Sequence, residues 1–267
     1  MISGRVSRRR QTTLILGALL VAALSLAAIA SAEKAVTVRA GNLILTFNGG
    51  VTPKALSKTK LEPISLNVQG KIAESDGSQP PALTEVNVDT DKNGTIDVRG
   101  VPTCKQGQLE AQTTSAVEKI CKPAILGSGT TDVSLQFPES SPVALHSKLL
   151  ALNGGTKGGV TTIYIHAFLT APVTAAVVTT VKISKEHKGP YGVHSIATIP
   201  KIAGYAGSVS AFNLTFKKKL FAYKGKKHGY LLAKCPTGKF LAQAEAKFHD
   251  GTKVGPAKIT RACTPKG

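Results

Sequence analysis

The sequence predicts an all-β protein of antiparallel strands, folded as a sandwich or a barrel, with one short helical segment and two disulfides. The first observation is that apolar and polar residues alternate in segments such as 133–137, 162–169 and 240–248, which is the period of a β-strand. The second is that glycine-containing turns, such as 153–155 and 250–251, separate these segments at short intervals, as in antiparallel hairpins. The third is an even number of cysteines, which is four.

One segment departs from the strand pattern. Ser115 and Glu118 have the spacing of a capping box at a helix start, in which each side chain satisfies a backbone amide at the other position. We therefore predict one or two helical turns over about 105–121. A disulfide between the flanking Cys104 and Cys121 would hold these turns beside the sheet.

The cysteines are expected to be oxidised, because an even number in an exported chain is typical of disulfides. Three pairings are open. We favour Cys104 with Cys121 and Cys235 with Cys263, since each pair brackets one compact segment. Zinc binding is the alternative, but no cysteine has a partner three residues away, as zinc sites usually require.

The N-terminus has the pattern of a signal peptide over residues 1–32. Arginines, including Arg8 to Arg10, precede an apolar run from 14 to 29, and the small residues 30–32 follow. The pattern predicts a secreted or cell-envelope, extracytoplasmic protein. The alternative is an uncleaved anchor, because the run is just long enough to cross a bilayer; membrane attachment is expected in that case alone.

The remainder, 33–267, is predicted to be one β-rich globular region. Its charge is unevenly distributed: residues 33–150 hold 12 basic and 12 acidic side chains, whereas 151–267 hold 18 basic and three acidic ones. Two lobes, one neutral and one strongly basic, are therefore an alternative to a single body. The excess of positive charge favours anionic partners.

The densest basic feature is FKKKLFAYKGKKHGY, residues 216–230. We predict a hairpin with its tip at 224–229, in which lysines beside aromatic rings bind anionic cell-envelope polymers or lipid head groups by counterion release. The predicted anion-binding residues are Lys217, Lys218, Lys219, Lys224, Lys226 and Lys227. The alternative is that these lysines only keep an exported protein soluble.

Two other ligand classes are disfavoured by composition. Beyond residue 32 the arginines are Arg39, Arg99 and Arg261, so the bidentate contacts that read bases are scarce and no sequence-specific nucleic-acid binding is expected. The chain has no tryptophan and few other aromatic residues. Flat stacking platforms for carbohydrates are therefore difficult to build.

The stretch VNVDTDKNGTIDVRG, residues 86–100, resembles a calcium loop. Asp89, Asp91, Asn93 and Asp97 fall at positions that donate oxygen, but position 12, which needs a bidentate carboxylate, is Gly100. The favoured interpretation of this stretch is therefore a hairpin whose primed turn is Asn93-Gly94, with a return strand immediately after it. Calcium on these four residues is the one cofactor that the sequence suggests.

No reaction is indicated by any motif. The six histidines are not paired at metal-ligand or catalytic spacing, and the nucleophile elbow, phosphate loop and dinucleotide fingerprint are missing from the sequence. We therefore expect no enzymatic activity. The alternative is a secreted hydrolase with an unrecognised site near His166, which lies in a predicted strand beside Tyr164.

The segments NGTIDVRGVPTC (93–104) and YLLAKCPTGKFLAQAEAKFHDGT (230–252), together with the N-terminal segment, resemble a family of exported bacterial proteins with no assigned function. The resemblance implies an exported, disulfide-bearing, mostly β protein and supplies no active site. The functional expectation is an exported, non-enzymatic β protein of the envelope or extracellular space, whose lysine-rich second half binds anionic surface polymers.

Overall fold

The structure is a computed structural model that describes residues 33–138, 140–170 and 172–267. The predicted signal peptide, residues 1–32, lies outside the described residues. Lys34–Gly267 forms one compact unit. Among the helices described, none has both the length and the apolar character needed to span a membrane.

Strands make up most of the described chain. They are β1 (Val36–Ala40), β2 (Leu43–Thr52), β3 (Ala55–Ser57), β4 (Glu62–Pro63), β5 (Ser65–Glu74), β6 (Leu83–Asp91), β7 (Gly94–Ile96), β8 (Ile125–Leu135), β9 (Val143–Lys157), β10 (Val160–Leu169), β11 (Ala175–Lys188), β12 (Tyr191–Thr198), β13 (Gly207–Phe216), β14 (Leu220–Tyr223), β15 (Lys226–Gly229), β16 (Leu231–Ala233), β17 (Lys239–Phe248), β18 (Lys253–Ala262) and β19 (Thr264–Lys266). The helical elements are α1 (Thr114–Ile120) and short 3₁₀ turns at Gln106–Gln108, Lys122–Ala124 and Ala203–Tyr205.

Twelve strands form one antiparallel sheet in the order β1-β2-β5-β13-β8-β9-β10-β11-β12-β6-β17-β18. The terminal strands β1 and β18 lie against each other, so the sheet is nearly closed and barrel-like. The predicted antiparallel all-β class is confirmed. Strands from the neutral and basic halves are interleaved in the sheet, since β13 lies between β5 and β8 and β6 lies between β12 and β17. Both halves of the chain therefore contribute to one sheet.

The inward face of the sheet carries a continuous set of apolar residues. The strand registers place Leu45 opposite Ile72, and Ala244 opposite both Val88 and Ala257. Because side chains alternate between faces, the residues between these positions point outward. We call the two sides of the sheet the inward and outward faces.

Small and large inward residues are paired across β5, β13 and β8. Phe212 lies opposite Gly70, and Leu214 lies opposite Gly129. A Cβ atom on Gly70 would lie 2.2 Å from Cε1 of Phe212, and one on Gly129 would lie 1.8 Å from the carbonyl oxygen of Asn213. Both glycines are therefore required for close approach, and the space they leave is filled by their neighbours.

The helical segment covers the outward face of β9. Val117 of α1 is fully buried and packs with Leu150 and Leu152, which alternate with inward residues along the strand. The disulfide Cys104–Cys121 closes this segment, as predicted. The helix begins two residues earlier than the sequence suggested, because the Oγ1 atom of Thr113, not the side chain of Ser115, accepts the cap hydrogen bond from the amide of Ala116 (3.2 Å).

The second predicted disulfide, Cys235–Cys263, is also present. It lies in a small apolar cluster with Leu56, Ile64 and Ala233. This cluster joins the parallel pair β3–β19 to the three-stranded sheet β4-β16-β7. On the chain-entropy description, each disulfide loop of this length stabilises the fold by about 3 kcal/mol.

The prediction of a hairpin with its turn at Asn93-Gly94 is wrong. After β6 the chain leaves the large sheet, and β7 pairs with β16 instead of returning along β6. Neither residue has the positive φ that a primed turn requires. The sequence pattern correctly indicated a chain reversal but not the partner strand.

We expect Gly129→Ala to destabilise the protein by about 1–3 kcal/mol, because the added methyl group forces β8 and β13 apart. Chemical denaturation measures the free energy of unfolding. Gly50→Ala is the matched control, since nothing lies within 4 Å of a Cβ atom there. Equal stability of the two variants would contradict the close packing of β8 on β13.

Candidate functional site

The predicted lysine-rich hairpin is present. Strands β14 and β15 pair through a two-residue turn, Lys224-Gly225, with φ angles of 49° and 74°. These angles match the primed turn that suits the twist of a hairpin. The tip is thus shorter than the predicted 224–229. We call residues 217–229 the lysine hairpin.

The base of the lysine hairpin is fixed by Tyr230. Tyr230 is 1% exposed. Its hydroxyl group donates to the carbonyl oxygen of Leu126 (2.9 Å), and the hydroxyl oxygen also lies 3.0 Å from the carbonyl oxygen of Lys217. Burial raises the pKa of this hydroxyl, so it stays a donor. Phe221 packs edge-on against the same ring, with centroids 6.1 Å apart. The exposed hairpin is therefore attached to the buried core.

All six predicted anion-binding lysines are exposed. None of them forms an ion pair with a described carboxylate. Lys219 donates to the carbonyl of Ile125 (3.1 Å), which leaves its charge uncompensated. The hairpin therefore presents uncompensated positive charge to solvent.

An aromatic ring extends this positive surface to a neighbouring loop. Tyr223 has the guanidinium of Arg99 and the ammonium of Lys224 each 5.6 Å from its ring centroid. Arg99 is also paired with Asp97, at 2.5 Å between Nη2 and Oδ2. The hydrogen bonds from Arg99 lower the pKa of the Asp97 carboxyl, so this carboxylate stays charged and paired with Arg99.

Each of the four predicted calcium ligands has a hydrogen-bond partner within the protein. Asp97 pairs with Arg99 as above, and Oδ1 of Asp91 accepts from the amide and the side chain of Asn93 (2.9 and 2.7 Å). The other oxygen of Asp91 accepts from the amide of Leu241 (3.1 Å). These oxygens shape the chain reversal after β6, so calcium on this set remains a prediction that the geometry does not favour.

Asp89 belongs to a different group, which the sequence reasoning missed. On the outward face, its Oδ1 atom lies 2.5 Å from Nδ1 of His194, and Nε2 of Gln243 donates to its Oδ2 atom (2.7 Å). Glu186 completes the group. Burial alone would raise the pKa of Asp89. The hydrogen bonds from its partners, of which His194 contributes most, have a larger combined effect, so the pKa is lowered.

No local motif could have revealed this group. Asp89 and His194 are 105 residues apart, and the registers of β6 with β12 and β17 make His194 and Gln243 neighbours of Asp89. A histidine and a carboxylate on separate strands carry no spacing signal. Only the strand order of the sheet brings them together.

His166, named for the hydrolase alternative, is completely buried. Its Nε2 atom donates to the carbonyl of Gln112 (3.0 Å), which joins β10 to the helical segment. The other ring nitrogen is buried without a hydrogen-bond partner. A substrate has no access to this ring in the observed conformation. The contacts of His166 are those of a buried residue that connects β10 to the helical segment.

Burial lowers the pKa of His166 below its ordinary value of 6.5. The unfolded chain then binds the proton more readily, so the stability present above about pH 6.5 is lost as the pH falls toward the folded pKa. We expect His166→Gln to reduce this loss, which is at most about 1.4 kcal/mol per pH unit. Denaturation midpoints at about pH 7 and about pH 5 test it.

The matched control for this pH effect is His187→Gln, which removes an exposed histidine. Its loss of stability between the two pH values should equal that of the unmodified protein. An unchanged loss in the His166 variant would show that the buried ring does not carry the pH dependence.

The fold and the site define a class: a disulfide-bonded, all-β protein with a lysine hairpin on its surface. The two disulfides indicate an oxidising, extracytoplasmic environment. No known protein family, no curated protein and no solved structure matches the chain.

Proposed function

We propose that this protein is exported and binds anionic polymers of the cell envelope or extracellular space through the lysine hairpin, without enzymatic activity. The observation that carries the proposal is that the lysine hairpin exposes six lysines, none of which is paired with a described carboxylate. The hairpin itself is attached to the core through Tyr230. Maintaining like charges together on one hairpin is unfavourable unless a polyanion or counterions screen them.

Two observations support export. The arginines followed by an apolar run at 1–32 have the signal-peptide pattern. The two disulfides are typical of an oxidising compartment. Polymers that bear phosphates or carboxylates are common in cell envelopes, so we propose them as the anionic partner.

The chemistry of lysine defines the kind of binding. An ammonium group is a compact point charge without the planar fork of arginine, so it attracts phosphate and carboxylate groups without selecting their orientation. Affinity then comes mainly from the release of counterions from the polymer. The hairpin therefore favours diffuse, salt-sensitive binding along a chain of repeated charges.

We expect the triple variant Lys224→Gln, Lys226→Gln, Lys227→Gln to bind long-chain polyphosphate more weakly than the unmodified protein. Its slope of log affinity against log salt concentration should be shallower by about 2, because three counterion-releasing contacts are lost. Titration of the polymer at several salt concentrations, followed by fluorescence anisotropy, measures both quantities.

The charge-matched control is Lys182→Gln, Lys253→Gln, Lys258→Gln, which removes three exposed lysines from elsewhere on the basic half. It should retain most of the affinity and slope. Equal loss in the two triple variants would show that net charge alone drives binding and would refute the hairpin site. Binding to phosphatidylglycerol vesicles but not to the polymer would instead assign the hairpin to lipid head groups.

A further inference from the structure

Three side chains on adjacent strands of the outward face form a compact donor group. Asp89 lies on β6, Glu186 on β11 and His194 on β12, and one ligand atom from each lies within 4.8 Å of the other two. Asp89 is 9% exposed and the other two are half-buried. We propose that this group binds a divalent transition-metal ion, with Zn²⁺ as its reference ligand.

The electrostatics of the group favour a cation. Two carboxylates close together on a half-buried surface repel each other, and the low local polarity strengthens that repulsion. Lys92 and Lys185 line the same cleft as Glu186, but no described lysine or arginine forms an ion pair with Asp89 or Glu186. A bound dication would compensate both carboxylates of the group.

A second observation points independently to a ligand. The Oε2 atom of Glu186 is buried from solvent and has no hydrogen-bond partner. A polar oxygen in that state is costly, because it has lost its hydrogen bonds to water and has not replaced them. A metal ion held with Asp89 and His194 would supply the missing partner.

The donor types select the metal. One imidazole nitrogen and two carboxylates match Zn²⁺ and its first-row neighbours, whereas Ca²⁺ and Mg²⁺ prefer oxygen donors alone. Three protein ligands also leave a coordination position for water. Glu186 also lines an open cleft of about 420 Å³ beside the β11–β12 hairpin.

The surroundings hold the donors in position. The three ligands come from neighbouring strands of one sheet, which is more rigid than a loop. Gln243 on the next strand donates to Asp89 (2.7 Å) and orients its carboxylate. Such outer contacts are typical of metal sites, where they fix the ligand and tune its basicity.

Isothermal titration of the folded, metal-free protein with Zn²⁺ tests the proposal, with Co²⁺ absorption as a second measurement of nitrogen and oxygen coordination. We expect one ion per chain for the unmodified protein and no stoichiometric uptake in Glu186→Gln or His194→Gln. The Glu186 variant is decisive even if the His194 variant fails to fold, because glutamine keeps the size of the side chain and can still donate a hydrogen bond to Asp89, as Glu186 does.

His146→Gln is the matched control, because His146 makes a similar contact with Asp132 (2.6 Å) on an exposed surface outside the three-residue group. It should bind Zn²⁺ like the unmodified protein. Zn²⁺ uptake that persists in Glu186→Gln would overturn the proposal. So would uptake of Ca²⁺ in the absence of Zn²⁺ uptake.

Discussion

The apolar inward face of the twelve-stranded sheet is the constraint on which the other features depend. In a β-strand a residue points to one side and its neighbours to the other. The registers keep the apolar set on the same side from β1 to β18, as at Val38 opposite Leu45 and Val86 opposite Ala246. A shift of one residue in any pair would expose that strand's core residues.

This alternation also determines what the outward face can carry. Because the core is built from one side, outward positions are free for other tasks. On β9 the outward Leu150 and Leu152 receive the disulfide-closed helical segment. On β6 and β12 the outward Asp89 and His194 form a polar group. The lysine hairpin lies beyond the sheet, and Tyr230 connects it to the core.

Features with a local origin could be predicted from the sequence. Strand alternation, the helical turns before Cys121 and the reversal around Gly225 each depend on residues within about ten positions, so their patterns are visible in the letters. The disulfide pairs were predictable because each encloses one short segment, with separations of 17 and 28 residues. The exposed lysines follow from the same local hairpin.

Features that depend on strand order could not be predicted. The acidic residues after Val88 suggested a calcium loop or a hairpin, but pairing of β7 with β16 separates Asp97 from Asp89. Pairing of β6 with β12 then gives Asp89 a histidine partner from a distant part of the chain. Periodicity identifies strands and their faces, but not which strands become neighbours.

The most direct test of the account compares two substitutions at adjacent apolar positions of β2, Leu45→Asn and Ile44→Asn. Leu45 is 1% exposed on the inward face, whereas Ile44 points outward and belongs to no described core cluster. Denaturation should show that the Leu45 substitution costs about 3–5 kcal/mol, because it buries an amide and loses core packing. The Ile44 substitution should cost less than about 1 kcal/mol. Equal costs, or a larger cost at Ile44, would contradict the assignment of the two faces.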